Sequence, residues 1–248
     1  MERIGVLLRQ SIDQSGLKAA EVARRANVSA STVSRILNGQ VSPSLDTVEE
    51  LFAACQQQLT VTAQAPSDPS AALAARWLLD GEYEGDDVEA LEAWAERLVR
   101  WSDDDPVAMV ELAAEHSGVM RRPDSIYLRG HVTMGRLASA GSSSEQRWAI
   151  SGAAGVALPA FRADVPAVTI LWCEDPAKMR RLLNDPRIAE ATAPHRATVV
   201  LASAAPELFS GSFEHDRISY ASPVQIAIDS ISIGGLTGDA AMKEISSW

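Results

Sequence analysis

Apolar positions follow two regimes along the chain. In the first quarter they recur at helical spacing. Ile4, Leu7, Leu8 and Ile12 fall at i, i+3, i+4 and i+8, which predicts an amphipathic helix over residues 2–15, closed by Gly16 and Leu17. Val22 and Ala23 mark a short second helix over 18–25, and Val33, Ile36 and Leu37 a third over 29–37. Between these two, Asn27 is the non-glycine type that best tolerates a positive φ, so it marks a tight turn. Ser29 is a good cap for the third helix and Asn38-Gly39 a good stop. Ser44 starts a fourth, from Leu45 to about Gln57, with Val48, Leu51, Phe52 and Cys55 inward. Leu59 to Ala63 then alternates with period two and predicts a strand that must pair with the later domain or with a second subunit.

Gln64 to Ser70, with two prolines and small polar residues, breaks the pattern and divides a domain of residues 1–63 from one of 71–248, with 64–70 as linker. Residues 71–139 read as helical. Segments are expected over 70–79, over 86–101 with Val88, Leu91, Ala95 and Leu98 on one face and Trp94 and Trp101 alongside, over 106–117, and over 124–139. Gly141 to Ser144 marks an exposed loop. From 145 to 248 the pattern is mixed α/β. Trp148 to Ala154 leads into a short helix, and Ala167–Trp172 and Ala197–Ala202 read as buried strands, with Ile218–Tyr220 a shorter one. Helices start at Asp175-Pro176, carrying Met179, Leu182 and Leu183, and at Ser222-Pro223, carrying Val224, Ala227, Ile228 and Ile231. Gly234-Gly235 precedes a last helix over 237–246. The fold expected is a mainly α N-terminal domain followed by an α/β (α+β) C-terminal domain with a small mixed sheet.

Lys18 to Asn38 is a helix-turn-helix pattern: its apolar residues share one small core, while Arg24, Arg25, Ser31, Thr32 and Arg35 are left outside. A helix with so small and polar an outer face fits a major groove about 12 Å wide. Ile4 to Ala63 resembles the Cro/repressor (XRE) class of helix-turn-helix regulators, and Val28 to Arg35 is also similar to the recognition helix of the lactose-repressor class. The Cro-like resemblance places base-facing positions at Ala30, Ser31, Ser34 and Arg35. A guanidinium can take guanine O6 and N7 bidentately, so Arg35 is the expected reader, with Ser31 reading either base type and Ala30 facing a thymine methyl. Thr32 and Ser34 suit phosphate contacts. The family's phosphate-clamping Gln is Ala19 here, which passes anchoring to Lys18 or Arg25. Ser29 and Asn38, at the two ends of the third helix, complete the candidate interface.

Charge sharpens that reading. The net charge is −11, yet residues 1–40 hold six basic side chains (Arg3, Arg9, Lys18, Arg24, Arg25, Arg35) against three acidic ones (Glu2, Asp13, Glu21). Asp80 to Asp105 holds 11 acidic residues against two arginines, a run that reads as a solvated helix face. An acidic body behind a locally basic finger repels DNA and discourages non-specific binding. The partners expected are a double-stranded, palindromic DNA operator and a second copy of the chain, with the acidic domain sensing a small ligand or a partner protein.

The remaining residue types narrow the alternatives. Cys55 and Cys173 sit in apolar surroundings and read as buried free thiols. His116, His131, His195 and His215 have no metal-ligand spacing, so no metal and no cofactor is expected. No apolar run reaches the roughly 18 residues of a membrane span, and the start lacks a signal-peptide core, so a cytoplasmic protein is expected. A second resemblance rests on Trp148–Ala154, Trp172–Leu183, Ala221–Asp229, Gly234-Gly235 and Asp239–Ala241. These look like the C-terminal domain of abortive-infection type IV antitoxins, which repress their own operon and are encoded beside a nucleotidyltransferase-like toxin. An antitoxin is therefore one alternative. The other is a metal-dependent nuclease or nucleotidyltransferase built on Glu174, Asp175 and Lys178, although a capped helix start explains those three residues and no catalytic motif accompanies them. The expectation is a regulator without enzymatic activity.

Overall fold

The computed structural model describes residues 2–81, 88–155 and 168–246. The chain divides into two compact units, Met1–Gln64 and Ala65–Trp248.

The first unit consists of α1 (Glu2–Ser15), α2 (Ala19–Arg25), α3 (Ala30–Leu37) and α4 (Leu45–Ala54). Leu8, Ile12, Val22, Ala23, Val33, Ile36, Leu51 and Cys55 form one core. Gly5 lets α1 cross the end of α3, since a Cβ there would stand 2.8 Å from the Ile36 carbonyl oxygen. Two expectations fail. Leu7, counted in the inward stripe of α1, is 48% exposed, and its place is taken by Ser11, whose hydroxyl lies 2.7 Å from Gln57 Oε1 and 2.9 Å from Leu7 O. Leu59 to Ala63 form no strand, and Val61 is exposed. Period-two alternation specifies a strand only where a ladder partner exists, and the first unit is all helix.

The second unit opens with α5 (Pro69–Asp80), α6 (Val88–Ser102) and α7 (Pro106–Ser117). Their contact layer is rich in alanine (Ala71, Ala74, Ala75, Ala113, Ala114) and closes on Leu91, Leu98 and Val110. Small side chains let these helix axes approach closely. Pro66 to Ser70, expected within the linker, are tied into this unit instead. Pro66 O accepts from Arg121 Nε at 2.8 Å, Asp68 N donates to His116 O at 2.7 Å, and the Asp68 carboxylate caps α5 while accepting from Trp94 Nε1 at 2.8 Å. Val88, expected inward on α6, is 48% exposed.

The helix expected over 124–139 is a strand and a shorter helix: β1 (Ile126–Arg129) and α8 (Met134–Ser143). Gly130 turns the chain between them at φ +130, where any Cβ would meet the Arg187 carbonyl. α8 runs through Gly141, where an exposed loop was expected, because Gly141 lies beneath the Trp148 indole and a Cβ would overlap the ring. There follow β2 (Trp148–Gly152), β3 (Thr169–Cys173), α9 (Pro176–Leu182), β4 (Ala189–Glu190), β5 (Val199–Ser203), β6 (Phe213–His215), β7 (Ile218–Tyr220), α10 (Pro223–Ile233) and α11 (Gly235–Ile245). On α9, Leu182 faces outward and Leu183, just past its end, is fully buried. The short helix expected after Ala154, the Asp86-Asp87 start of the expected helix and Ala167 lie outside the described residues.

The seven strands form one mixed sheet in the order β4-β1-β5-β3-β2-β7-β6, with β3/β5 and β2/β7 parallel and the other neighbours antiparallel. Both faces of its middle are covered, as continuous apolar runs such as Thr169–Cys173 require. Leu137 of α8 and Met179 of α9 pack on the face that presents Ile150, Leu171 and Leu201. Ile226 of α10 packs on the other, with Ala149, Ile170, Trp172 and Val200, while Val224, Ala227 and Ile228 of the same helix join the α5–α7 layer. α10 is therefore apolar on two sides.

One carboxylate fastens that helix. Asp229 is 3% exposed; its Oδ2 accepts from Ser151 Oγ of β2 at 2.6 Å and from Trp172 Nε1 of β3 at 2.7 Å, and its Oδ1 accepts from Gln225 Nε2 at 2.9 Å. Burial pushes the carboxyl's pKa up, against these three donors and the field of Arg122, whose guanidinium lies 4.8 Å from the centre of the Trp172 ring. Replacing Asp229 by Ala leaves an indole N–H, a hydroxyl and an amide buried without an acceptor, and is expected to cost about 3–5 kcal/mol. Urea denaturation followed by tryptophan emission checks this, because all six tryptophans lie beyond residue 64; a loss near zero would show that the network is replaceable.

Candidate nucleic-acid interface

The tight turn between α2 and α3 is built as its residues require. Asn27 takes φ +53, and Val28 N–H returns to Ala23 O at 3.0 Å. Ser29 caps α3 by accepting from Thr32 N at 3.0 Å. At the far end Asn38 keeps φ −95, and Gly39, at φ +68, makes the stop. Arg9 of α1 braces this end by donating to Leu37 O at 2.9 Å.

Of the expected interface residues, Lys18, Arg25, Ser29, Ala30, Ser31, Ser34, Arg35 and Asn38 are exposed and Thr32 is half-buried. Val33 and Ile36, the inward residues of α3, are at most 2% exposed. α3 therefore presents one continuous small-residue face with a single long cation, Arg35, which makes no hydrogen bond or ion pair among the described residues. The hydroxyls are less available. Ser29 Oγ lies 2.8 Å from both Ser31 Oγ and Thr32 Oγ1, so these three stabilise the helix start as a group.

Arg25 stands differently from Arg35. Glu21 holds it at 2.9 Å through Nε, and holds Arg24 at 2.7 and 2.9 Å through two nitrogens. The two guanidiniums keep the Glu21 carboxyl down at about 2 from its ordinary 4.5. A carboxylate depressed in the folded state contributes above its ordinary value and loses that contribution as pH falls toward 2, so this clamp is closed at neutral pH. The i, i+3 and i, i+4 spacing of Glu21, Arg24 and Arg25 is visible in the sequence. Its consequence, that one carboxylate occupies two basic residues beside the turn, was missed.

A family model described as a helix-turn-helix domain matches residues 3–65, about a quarter of the chain. Residues 3–65 are a helix-turn-helix domain. The match supports a DNA-binding regulator. No curated protein and no solved structure matches the chain. The domain accounts for α1 to α4 and leaves the second unit to be read from its own geometry.

In that unit the two carboxylates of the nuclease-like set, Glu174 and Asp175, have structural duties. Asp175 Oδ1 caps α9 by accepting from Lys178 N at 2.8 Å, and Glu174 pairs with Arg147 at 3.1 Å. Among the described residues no group of three or more His, Cys, Asp or Glu could hold a metal ion, and no helix is long and apolar enough to cross a membrane. Cys55 and Cys173 are free and buried, and burial pushes the Cys173 thiol up to about 12.

Opening the clamp gives a test. Glu21→Gln is expected to raise affinity for random-sequence duplex and to steepen the log–log salt dependence by up to about 1.8, the slope of two added phosphate contacts. Fluorescence anisotropy over a salt series measures both; an unchanged slope would show that Arg24 and Arg25 stay clear of the duplex.

Proposed function

We propose that the protein is a sequence-specific transcriptional repressor, working in the cytoplasm, that binds a palindromic operator as a homodimer. The observation that carries this reading is the outer face of α3: small, exposed and topped by Arg35, whose side chain is unpaired among the described residues, on a helix-turn-helix domain. In such a complex α3 lies in the major groove. Arg35 takes a guanine edge, Ser31 and Ala30 face neighbouring bases, and Ser34 and Thr32 flank the backbone. Lys18 stands before the amides of α2 and supplies a phosphate contact. Two copies place their α3 helices about 34 Å apart, one turn of the duplex. The second unit, which carries the chain's net acidity, contributes dimerisation and response to an effector rather than catalysis.

This reading stands ahead of the antitoxin alternative because the Ala221–Asp229 part of that resemblance falls largely on core residues. Ala221, Ser222, Gln225 and Asp229 are each at most 3% exposed, which leaves them no part in gripping a toxin.

Selecting bound sequences from a random duplex pool should return an inverted repeat with half-sites about 10 base pairs apart, centre to centre. On the selected site, Arg35→Ala is expected to cost about 1–3 kcal/mol and to relax preference at one base pair per half-site, whereas Lys18→Ala weakens all sequences alike and lowers the salt slope by about one. Wild-type affinity and preference in Arg35→Ala would refute the assignment.

A further inference from the structure

A cleft of 390 Å³ opens in the second unit between the end of α8, the start of β2, the short helical turn Pro206–Phe209 and the β6–β7 hairpin. That volume is in the range of small-molecule sites, about 300–1,000 Å³. Trp148 and Phe209 give it aromatic surface; Arg147, Arg217 and Glu214 give it charge. Each wall is held from behind. Trp148 is seated on the bare backbone of Gly141. The turn that carries Phe209 is gripped by buried Arg76 of α5, which donates to Glu207 O at 3.4 Å, Leu208 O at 2.9 Å and Ser210 O. Phe213 and Tyr220 stack at 5.5 Å across the hairpin that bears Glu214 and Arg217.

The charges are arranged unevenly. Arg147 lies 5.4 Å from the Phe209 ring centre and its Nε is engaged by Glu174, so this pair is internally neutral. Arg217 and Glu214 have no such partner among the described residues. Ser212 also lines the cleft, and its Oγ, just beneath the surface, has no hydrogen-bond partner among the described residues. Arg217 also occupies a costly position. Asp216 and Arg217 form the hairpin turn at φ +49 and +64, a pair of left-handed residues for which Asn-Gly is the usual solution.

We infer that this cleft is an effector site for a small aromatic molecule bearing one carboxylate and one amino group. The ring lies against Phe209 and Trp148, the carboxylate meets Arg217 and Ser212, and the amino group meets Glu214. Occupancy bears on the Phe209 turn, hence on Arg76 and on α5, the first helix of the unit. The site is argued from its own geometry; its regulatory role rests on the repressor reading above. Two sources share this chemistry, free aromatic amino acids and aminobenzoates, and separate arms of the test tell them apart.

Isothermal titration calorimetry of the full-length protein with L-phenylalanine and with 4-aminobenzoate should show one of the two binding, with benzoate and phenethylamine weaker by about tenfold or more because each lacks one charged or polar handle. Arg217→Gly relieves the turn, so its melting temperature should rise while affinity for the binding probe falls about tenfold or more; a merely structural Arg217 would give the rise without the fall. Glu214→Gln, on an exposed strand, should weaken the amino-bearing probe and leave benzoate unchanged. Failure of both probes to bind, equal binding of benzoate, or unaltered affinity in Arg217→Gly overturns the site. Operator affinity is measured with and without saturating probe. Binding without an effect on DNA removes the regulatory role and leaves the site, whereas absence of any operator leaves the titration intact and sinks the repressor reading.

Discussion

The second unit depends on a carboxylate that water does not reach. Asp229 collects a hydroxyl from β2, an indole N–H from β3 and an amide from its own helix, and so fixes α10 at one height and one rotation on the sheet. Apolar packing could not do this unaided. α10 is greasy on two sides, and hydrophobic burial is non-directional, so a slide by one turn would bury similar area. Buried hydrogen bonds are directional and expensive to leave unmade, which gives this interface a single register. From that register follow the seat of α5–α7 on one side of α10 and the alignment of the sheet on the other.

The first unit is organised by charge restraint rather than by charge excess. Residues 1–63 carry six basic and six acidic side chains, and two of the basic ones are held by Glu21. Non-specific attraction to a polyanion grows with each uncommitted cation. Among the described residues Lys18 and Arg35 have no ion-pair partner while Glu21 occupies Arg24 and Arg25, so the domain offers a polyanion fewer free cations than its sequence holds. The acidic second unit acts in the same sense, by adding repulsion that only good contacts overcome.

The first unit was largely legible before folding, because helical periodicity, a cap at Ser29 and a turn at Asn27 are local signals that tertiary context had no reason to override. Its misreadings share one cause. The Leu59–Ala63 alternation and the inward place of Leu7 depended on partners elsewhere in space, and those partners were absent or were polar, as with Ser11 and Gln57. In the second unit the helices at Pro106, Pro176 and Pro223 were announced by an Asp or Ser cap before each proline, whereas the same signal at Asp68-Pro69 was hidden in what read as linker. The sheet was only half legible: β3, β5 and β7 fall on the expected strands, whereas Trp148–Ala154 was read only as leading into a helix and holds β2, and β1, β4 and β6, at two to four residues each, exist because a neighbour supplies the ladder. Glycine misled at Gly141, where the absence of a side chain serves an indole and not a loop. The exposed face of α3 was readable from spacing; the occupation of Arg25 by Glu21, and the cleft by the hairpin, needed coordinates.

The seat of Trp148 on Gly141 has an evolutionary side. Ser143 next to it is exposed and can drift, but any side chain at 141 would displace the indole from its seat. Because alanine and serine are a single nucleotide away from glycine, a lineage could lose the native seat of the indole in one step, with every residue of the first unit unchanged. Comparing that position among descendants would show which of them keep the ring in its native seat.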